Sequence, residues 1–576
     1  MIRGRAEVAR GVAGRSAIPV LACTGIALIL VFLAAILLRT FALFEDERGL
    51  AALARLFGRP EYYLILLDTL HFAAVTTLTA VAFGVPIAWL TERTDLPGRN
   101  LIRVFMTAGI LIPGFFTALG WLFLAHPRIG MINGWLRGNL DVTVNVATLT
   151  GMGLIQGLAL ATLTFVVAAP SLSAVDPALE ESAEVHGLKM WSRLTSVTLP
   201  LIAPALIAAS LLTFMVSLAV FDIPAVLGLS NKIVLYSTYI YNLVNPNGGM
   251  PLYEIAAASS VPMLLIAAGL SALYYNLVRR SHRYQVISGK AYRSKRTQLG
   301  RRACILGWSF ISFYFVLAVV LPLLTVAWVS FLPFFRPLSI EAMKVLSLAN
   351  YSGLLTSSFW GSVRNTATLT ILAPSLTVMM SLAISWVITR YRGHIGRSFE
   401  IVSFLPLSIP SVIFAVGAVA IALAMGSLLP IYGTIWLIIL VEIVVRTSIA
   451  TRITTTAMLQ IHSELDEAGA VFGLSSATRF SRILIPLLTP AVIYCWFFLA
   501  LLAFRELTVP ALLVSRDNVT ISVYTWGLLS SGTFGRAAAL TILVILSLVT
   551  VGLVAISLNW AITRRRTGRA LISVTQ

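Results

Sequence analysis

The chain has 576 residues, of which 58% are hydrophobic and only 11% charged, with a formal net charge of +19. Ordinary soluble proteins carry about 25% charged residues, so a soluble fold of this length is excluded for want of polar surface. The basic excess would suit a nucleic-acid face if it were concentrated in one place, and it is not.

In chain order, the N-terminus "MIRGRAEVARGVAGR" precedes an apolar run over 17–38 and imitates a signal peptide. The run is longer than a typical signal core and lacks a small-residue cleavage site, so it reads as an uncleaved first helix. Charge-free runs follow over 104–125, 142–175, 255–278, 303–335, 365–389 and 537–562. Each exceeds the roughly 20 residues that cross a bilayer as a helix. The apolar stretch 401–441 is too long for one crossing, and "MGSLLPIYG" at 425–433 offers a turn inside it. Further spans fall at 64–90, 201–227, 434–450 and 487–513, which makes about twelve in an all-α polytopic membrane protein. The least apolar, 434–450, holds Glu442 and Arg446, four apart on one helix face and able to pair.

With the N-terminus inside, 29 of the 42 Lys and Arg residues lie in 1–16, 91–103, 176–200, 279–302, 390–397, 446–482 and 563–576, all on the inner side. This is the positive-inside bias, with the excess charge facing anionic inner-leaflet lipid rather than nucleic acid. Cys23, Cys304 and Cys495 fall within spans without ligand spacing, and the histidines form no metal-ligand cluster. No cofactor or metal site is expected.

The spans repeat. "IAWLTERTDLPGR" at 87–99 matches "ISWVITRYRGHIGR" at 384–397, and "IPGFFTALG" at 112–120 matches "IPSVIFAVG" at 409–417, both at offset 297. After eleven extra residues around "MINGWLRGNLDVTVN", the offset is 286, and "EESAEVHGLKMWSRLTSVTLP" at 180–200 matches "DEAGAVFGLSSATRFSRILIP" at 466–486. Each half therefore contributes six spans in the same order. Six is even, so the repeat is parallel, about an axis along the membrane normal. The expected divisions are 1–60 (tail, first helix, outer loop), 61–278 (first unit), 279–302 (basic linker), 303–360 (seventh helix, outer loop), 361–562 (second unit) and 563–576 (basic tail). The linker reads as a plain tether, with a regulatory role as the alternative.

The duplicated polar loops lie between the fourth and fifth spans of their halves, on the inner side. A short helix is expected to begin near Pro177 or Ser463. Gly187 and Gly473 follow Glu181 and Glu467 by six residues, where a helix ends with the positive φ that glycine allows. The pattern E-[AS]-[AG]-x3-G-x9-[IV]-x-[LI]-P resembles the EAA loop of ABC-importer permeases. That resemblance implies two coupling helices, built on Glu181, Ser182, Ala183 and Gly187 and on Glu467, Ala468, Gly469 and Gly473, each docking into a cytoplasmic ATPase. Ser182 and Gly469 depart from the commonest motif without adding bulk. None of the five lysines completes a P-loop, since "SGKAY" at 288–292 lacks the upstream glycine and the hydroxyl. The motor is therefore expected on a separate subunit, present twice.

"TDLPGR", "LPLIAPAL", "GKAYR", "PIYGTIW", "MLQIHSELDEAG" and "FRELTVPALLV" together resemble fused permeases of the ferric-iron transport group. This implies a bacterial inner-membrane importer of type-1 architecture with both termini cytoplasmic. A periplasmic or extracellular solute-binding protein would land on outer loops such as 39–63, 229–252 and 332–362. Iron(III) is the favoured cargo, with thiamine, 2-aminoethylphosphonate, polyamine or another small solute as alternatives. Ionisable groups within spans mark candidate pathways. Asp222, Arg505 and Glu506, with the helix-breaking Pro224 and Pro510, fall near the outer ends of the fifth spans, where they rim a gate or simply reach interfacial water. An ion-gradient-driven transporter would share the twelve spans but leave the paired loops unexplained. A membrane enzyme would need a nucleophile with acid and base groups, and the sequence assembles none.

Overall fold

The computed structural model describes residues 17–40, 49–110, 112–246, 249–281, 296–391, 393–426, 428, 430–552 and 557. The expected basic tails 1–16 and 563–576 and most of the linker, 282–295, lie outside them. Among the described residues the fold is helical, and the strand-like pairing present is an isolated bridge between Thr94 and Thr297.

The first half supplies α1 (Ala17–Thr40), α2 (Pro60–Arg93), α3 (Arg99–Gly109), α4 (Gly114–Ala125), α5 (Leu149–Ser173), α6 (Pro177–Val185), α7 (Leu199–Ala219) and α8 (Tyr253–Ser281). The second supplies α9 (Arg301–Ser330), α10 (Ser357–Arg390), α11 (His394–Phe404), α12 (Ser411–Ala424), α13 (Ile435–Leu459), α14 (Ser463–Val471), α15 (Ile485–Phe504) and α16 (Phe534–Gly552). Nine helices among the described residues are long and apolar enough to cross a membrane, and two bent pairs raise this to eleven. The 25-residue α13 is long enough to be the twelfth, and it carries the buried Glu442 and its partner Arg446, 3.0 Å apart. Matching elements keep their lengths across the repeat: α2 and α10 have 34 residues each, and α5 and α13 have 25 each.

The runs 104–125 and the first part of 401–441 read as straight spans, and both are bent. The α3–α4 pair turns by 96° and the α11–α12 pair by 102°. The cause is the "IP" dipeptide at each elbow. Pro113 and Pro410 lack the N–H that a continuous helix needs, and each ring drives the preceding residue out of the α region. Hydropathy does not register this, because proline leaves the run apolar.

The closest helix contact in the first half is between α2 and α5. A Cβ on Gly84 would lie 2.6 Å from the Ala161 carbonyl, one on Gly153 2.9 Å from the Val75 side chain, and one on Gly157 would overlap Thr79. These glycines let the backbones approach, as small residues do at helix interfaces in lipid. The corresponding pair α10–α13 uses hydroxyl groups instead. Ser385 Oγ lies 2.6 Å from Thr454 Oγ1 and accepts from Thr455 Oγ1 at 2.8 Å.

The first helix of each half packs on the other half. Helix α1 lies against α10 and α12, and α9 lies against α4. The sockets are the repeated glycines Gly120 and Gly417. A Cβ on Gly120 would come within 2.5 Å of Pro322 on α9, and one on Gly417 within 2.9 Å of the Phe32 carbonyl on α1.

The Gly157→Leu substitution should separate α2 from α5 and destabilise the chain by about 1–3 kcal/mol or more. The check is a lowered melting temperature of the detergent-purified chain, with Gly134→Leu, where a Cβ meets open space, as the neutral control.

Candidate functional site: two anchored arms and a buried charge cluster

Both duplicated loops form a helix, a glycine elbow and a second helix. In the first, the Asp176 side chain accepts from the Ala178 N–H at 2.9 Å and caps α6, with Pro177 at its first position. Gly187 ends it at φ 83°, and Leu188 N–H donates to the Ala183 carbonyl at 3.0 Å. In the second, Gly473 stands at φ 72° and Leu474 N–H donates to the Gly469 carbonyl at 3.1 Å. These are matching Schellman closures. A Cβ on either elbow glycine would meet open space, so the requirement for glycine there is conformational and not steric. Gly469 differs: a Cβ would press on Ile483 at 2.9 Å and on the Arg479 chain at 3.0 Å, so its smallness lets α14 lie on the next helix.

That next helix joins the following span through a π-helical turn, Leu194–Thr198 in one half and Phe480–Leu484 in the other. Each precedes a Leu-Pro or Ile-Pro step. Leu199 N–H donates to the Leu194 carbonyl and Ile485 N–H to the Phe480 carbonyl, which widens the helix where Pro200 or Pro486 would otherwise collide with it.

Each arm is tied to its bundle by an ion pair. Arg93, at the end of α2, holds Glu180 at 2.6 Å with side-chain exposures of 5% and 14%, and donates to the Val175 carbonyl at 3.0 Å. Thr198 Oγ1 donates to the other oxygen of Glu180 at 2.6 Å. In the second half, Asp466 lies 3.4 Å from Arg390 and 3.3 Å from Arg479. The anchoring acids are thus Glu180 and Asp466, each one residue before a glutamate of the loop motif, Glu181 or Glu467. Glu467 is exposed and Glu181 half-buried. Ala183 and Gly469 are buried against the arm, and Ser182 and Ala468 face outward. The signal for the anchors was present in the repeat, because Arg93 matches Arg390 at offset 297 and Glu180 matches Asp466 at 286. The arm tips leave large apolar side chains uncovered: Val185 is 85% exposed, Val471 86% and Phe472 84%.

The residues expected to mark a pathway lie at the chain breaks after α7 and α15. Glu506 bonds Arg446, which also holds Glu442 at 3.0 Å, and the other Glu506 oxygen accepts from Thr508 N–H at 3.0 Å. Arg505 crosses to the first half and donates to the carbonyls of Ile110 and Ile112 at 2.5 and 2.8 Å. Asp222 approaches the start of α4, where a Cβ on Gly114 would stand 2.7 Å from its Oδ2, and it lies within electrostatic reach of Arg505 and Glu506. Pro224 opens a π-helical turn, Pro224–Gly228, and Pro510 sits inside the short helix Thr508–Leu512. Among the described residues no group of three or more His, Cys, Asp or Glu is placed to hold a metal ion.

Comparison with known proteins agrees with this architecture. The profile of the family described as "Binding-protein-dependent transport system inner membrane component" matches residues 80–283. A ferric transport system permease protein of Actinobacillus pleuropneumoniae is 25% identical over 499 residues, 84% of this chain and 69% of its own. An Fe(3+)-transport system permease protein of Haemophilus influenzae is 22% identical over 527 residues, covering 91% and 94%. The sulfate transport system permease protein CysT of Escherichia coli is 31% identical over 212 residues, 36% of this chain and 72% of its own.

Replacing Arg93 with Ala strands Glu180, and losing one partner of a buried pair costs about 3–5 kcal/mol. Faster protease cleavage within 176–200 in membranes, with Arg93→Lys intermediate, is the expected result.

Proposed function

The chain belongs to the binding-protein-dependent transport system inner membrane component family, and from that premise we propose that it is the fused permease of an importer for iron(III). It forms the translocation path and contains no motor of its own. The observation that carries the cargo assignment is coverage. The relatives named for ferric transport match 84% and 91% of this chain, across both halves, whereas the sulfate permease matches 36%. Residues 61–278 and 361–562 act as the two permease units, joined by the basic segment 279–302.

The two arms couple that path to two copies of a cytoplasmic ATPase. Glu181, Ser182, Ala183 and Gly187, with Glu467, Ala468, Gly469 and Gly473, make up the docking elements. The exposed Val185, Val471 and Phe472 supply apolar surface for a partner to cover. An arm can transmit force only if its base is stiff, and the Arg93–Glu180 and Arg390–Asp466 pairs are placed to provide this. The positive-inside distribution puts the arms and both termini in the cytoplasm. A periplasmic or extracellular binding protein delivers cargo from the opposite side. Asp222, Pro224, Arg505, Glu506 and Pro510 belong to the path.

The complex of this chain with its ATPase and binding protein, reconstituted in vesicles, should accumulate iron(III) on ATP hydrolysis. Accumulation of thiamine, 2-aminoethylphosphonate or polyamine in its place would reassign the cargo, and uptake driven by an ion gradient without ATPase would overturn the importer reading. The double substitution Gly187→Val and Gly473→Val forces side chains into a left-handed conformation costing roughly 1–2 kcal/mol each. Uptake should be lost while ATP hydrolysis and membrane insertion remain, as measured on the same vesicles.

A further inference from the structure

The end of the basic linker returns to the first unit as a short extended segment. Thr297 pairs with Thr94 in the isolated bridge. Its N–H donates to the Arg93 carbonyl at 3.0 Å, and its carbonyl accepts from Asp95 N–H at 3.2 Å. Leu299 N–H then donates to Asp95 Oδ1 at 2.8 Å. These bonds bring Arg296 beside the turn that joins α2 to α3, where it and residues 95–100 line a cavity of about 330 Å³. That volume falls within the ~300–1,000 Å³ of small-ligand sites.

The charges in this cavity are unbalanced. Arg99 Nη1 and Arg296 Nε are both shielded from solvent, and neither has a hydrogen-bond partner among the described residues. The acids nearby are engaged. Asp95, the one acid in the lining, is exposed and accepts from Leu299 N–H, and Glu92 is held by two nitrogens of Arg103 at 2.6 and 2.5 Å. Arg301 and Arg302, exposed in the first turn of α9, add to the positive excess. Like charges in one lining repel, and a shielded cationic donor without an acceptor is costly. An anion between the two arginines removes both costs.

The class of that anion follows from where the cavity lies. Asn100 lines it, and from the next residue on, α3 presents Leu101, Val104 and Phe105 outward, 55%, 60% and 52% exposed. Their spacing makes one apolar face, and Phe105 meets Phe315 of α9 edge-on at 5.7 Å. The cavity therefore stands where surface suited to acyl chains gives way to polar chain, the level of phospholipid phosphates. Basic pockets between membrane helices bind such headgroups. We propose that Arg99 and Arg296 form a binding site for the phosphate of an anionic phospholipid, whose acyl chains lie along the outward face of α3. Arginine suits phosphate because its planar guanidinium offers paired donors. Bound there, the lipid bridges the linker to the first unit close to Arg93, the residue that anchors the first arm. The site depends neither on which solute the chain carries nor on what drives it.

The full chain is placed in nanodiscs of phosphatidylcholine, alone or mixed with phosphatidylglycerol, and phenylglyoxal modification of each arginine is followed by peptide mass spectrometry. The anionic lipid should slow modification of Arg99 and Arg296 at least about fivefold, as a ligand well above its dissociation constant does. Arg301 and Arg302, outside the cavity, should change far less. Equal protection of all four arginines, or protection of none, overturns the proposal. Inorganic phosphate or glycerol phosphate added to phosphatidylcholine nanodiscs should not protect. Protection by either as strong as the lipid's transfers the site to soluble phosphates and overturns the lipid assignment. This measurement needs no substitution, so a misfolded variant cannot decide it. In a second measurement, native mass spectrometry weighs the lipid kept by the detergent-purified chain. Arg99→Gln combined with Arg296→Gln should lower retained phosphatidylglycerol, relative to phosphatidylcholine, at least about tenfold, as loss of charged hydrogen bonds predicts. Arg301→Gln combined with Arg302→Gln should stay near the parent. Parent-like retention in the first double variant overturns the site.

Discussion

A backbone amide or carbonyl left without a partner in hydrocarbon costs several kcal/mol, so a helix that breaks inside a membrane must find replacements for the bonds it gives up. This constraint organises the protein. Its helices break at proline steps, and three of these breaks show how the lost bonds are replaced. Leu199 and Ile485 donate one residue further back than usual, and the resulting π-helical turns accommodate Pro200 and Pro486. At the first-half elbow the carbonyls of Ile110 and Ile112 are served by Arg505 from the other half. Charge inside the membrane is thus used to satisfy backbone, and the backbone in turn solvates the charge.

The duplication shows how far chemistry can drift while geometry is kept. Helices of equal length recur in the same order, yet one half brings α2 and α5 together through glycines and the other brings α10 and α13 together through Ser385, Thr454 and Thr455. The arms are anchored in both halves by an arginine at the end of the long core helix and an acid in the arm's first helix. One anchor is a tight pair at 2.6 Å, and the other is shared by two arginines at 3.4 and 3.3 Å. Lengths and anchors are common to the halves. The intramembrane charges are not, so the first belong to what the halves share and the second to something only one half needs.

Much of this was legible in the sequence, for identifiable reasons. Hydropathy and the basic segments marked the spans, because lipid tolerates few exceptions. The two loops declared themselves because a glycine at a left-handed position leaves a fixed spacing from the acid before it. The Glu442–Arg446 pair followed from a four-residue separation on one face. The elbows were not legible, since a proline inside an apolar run does not lower its hydropathy. The anchoring role of Glu180 and Asp466 was not read from the sequence, because their partners Arg93 and Arg390 lie some ninety and seventy-five residues away in the chain. That Arg505 reaches across to Ile110 depends on how the halves are docked, which no local pattern encodes.

The exchange of first helices has a consequence for how such a protein can be made. Helix α1 fills the socket at Gly417 in the second half, and α9 fills the socket at Gly120 in the first. Translated as two polypeptides, each half would emerge with one hydrophobic segment lacking its own berth and one berth vacant. Like halves would compete for the same vacancies. Synthesis as one polypeptide removes that ambiguity by keeping the right neighbour always at high local concentration, so covalent fusion secures correct pairing before any folded contact has formed.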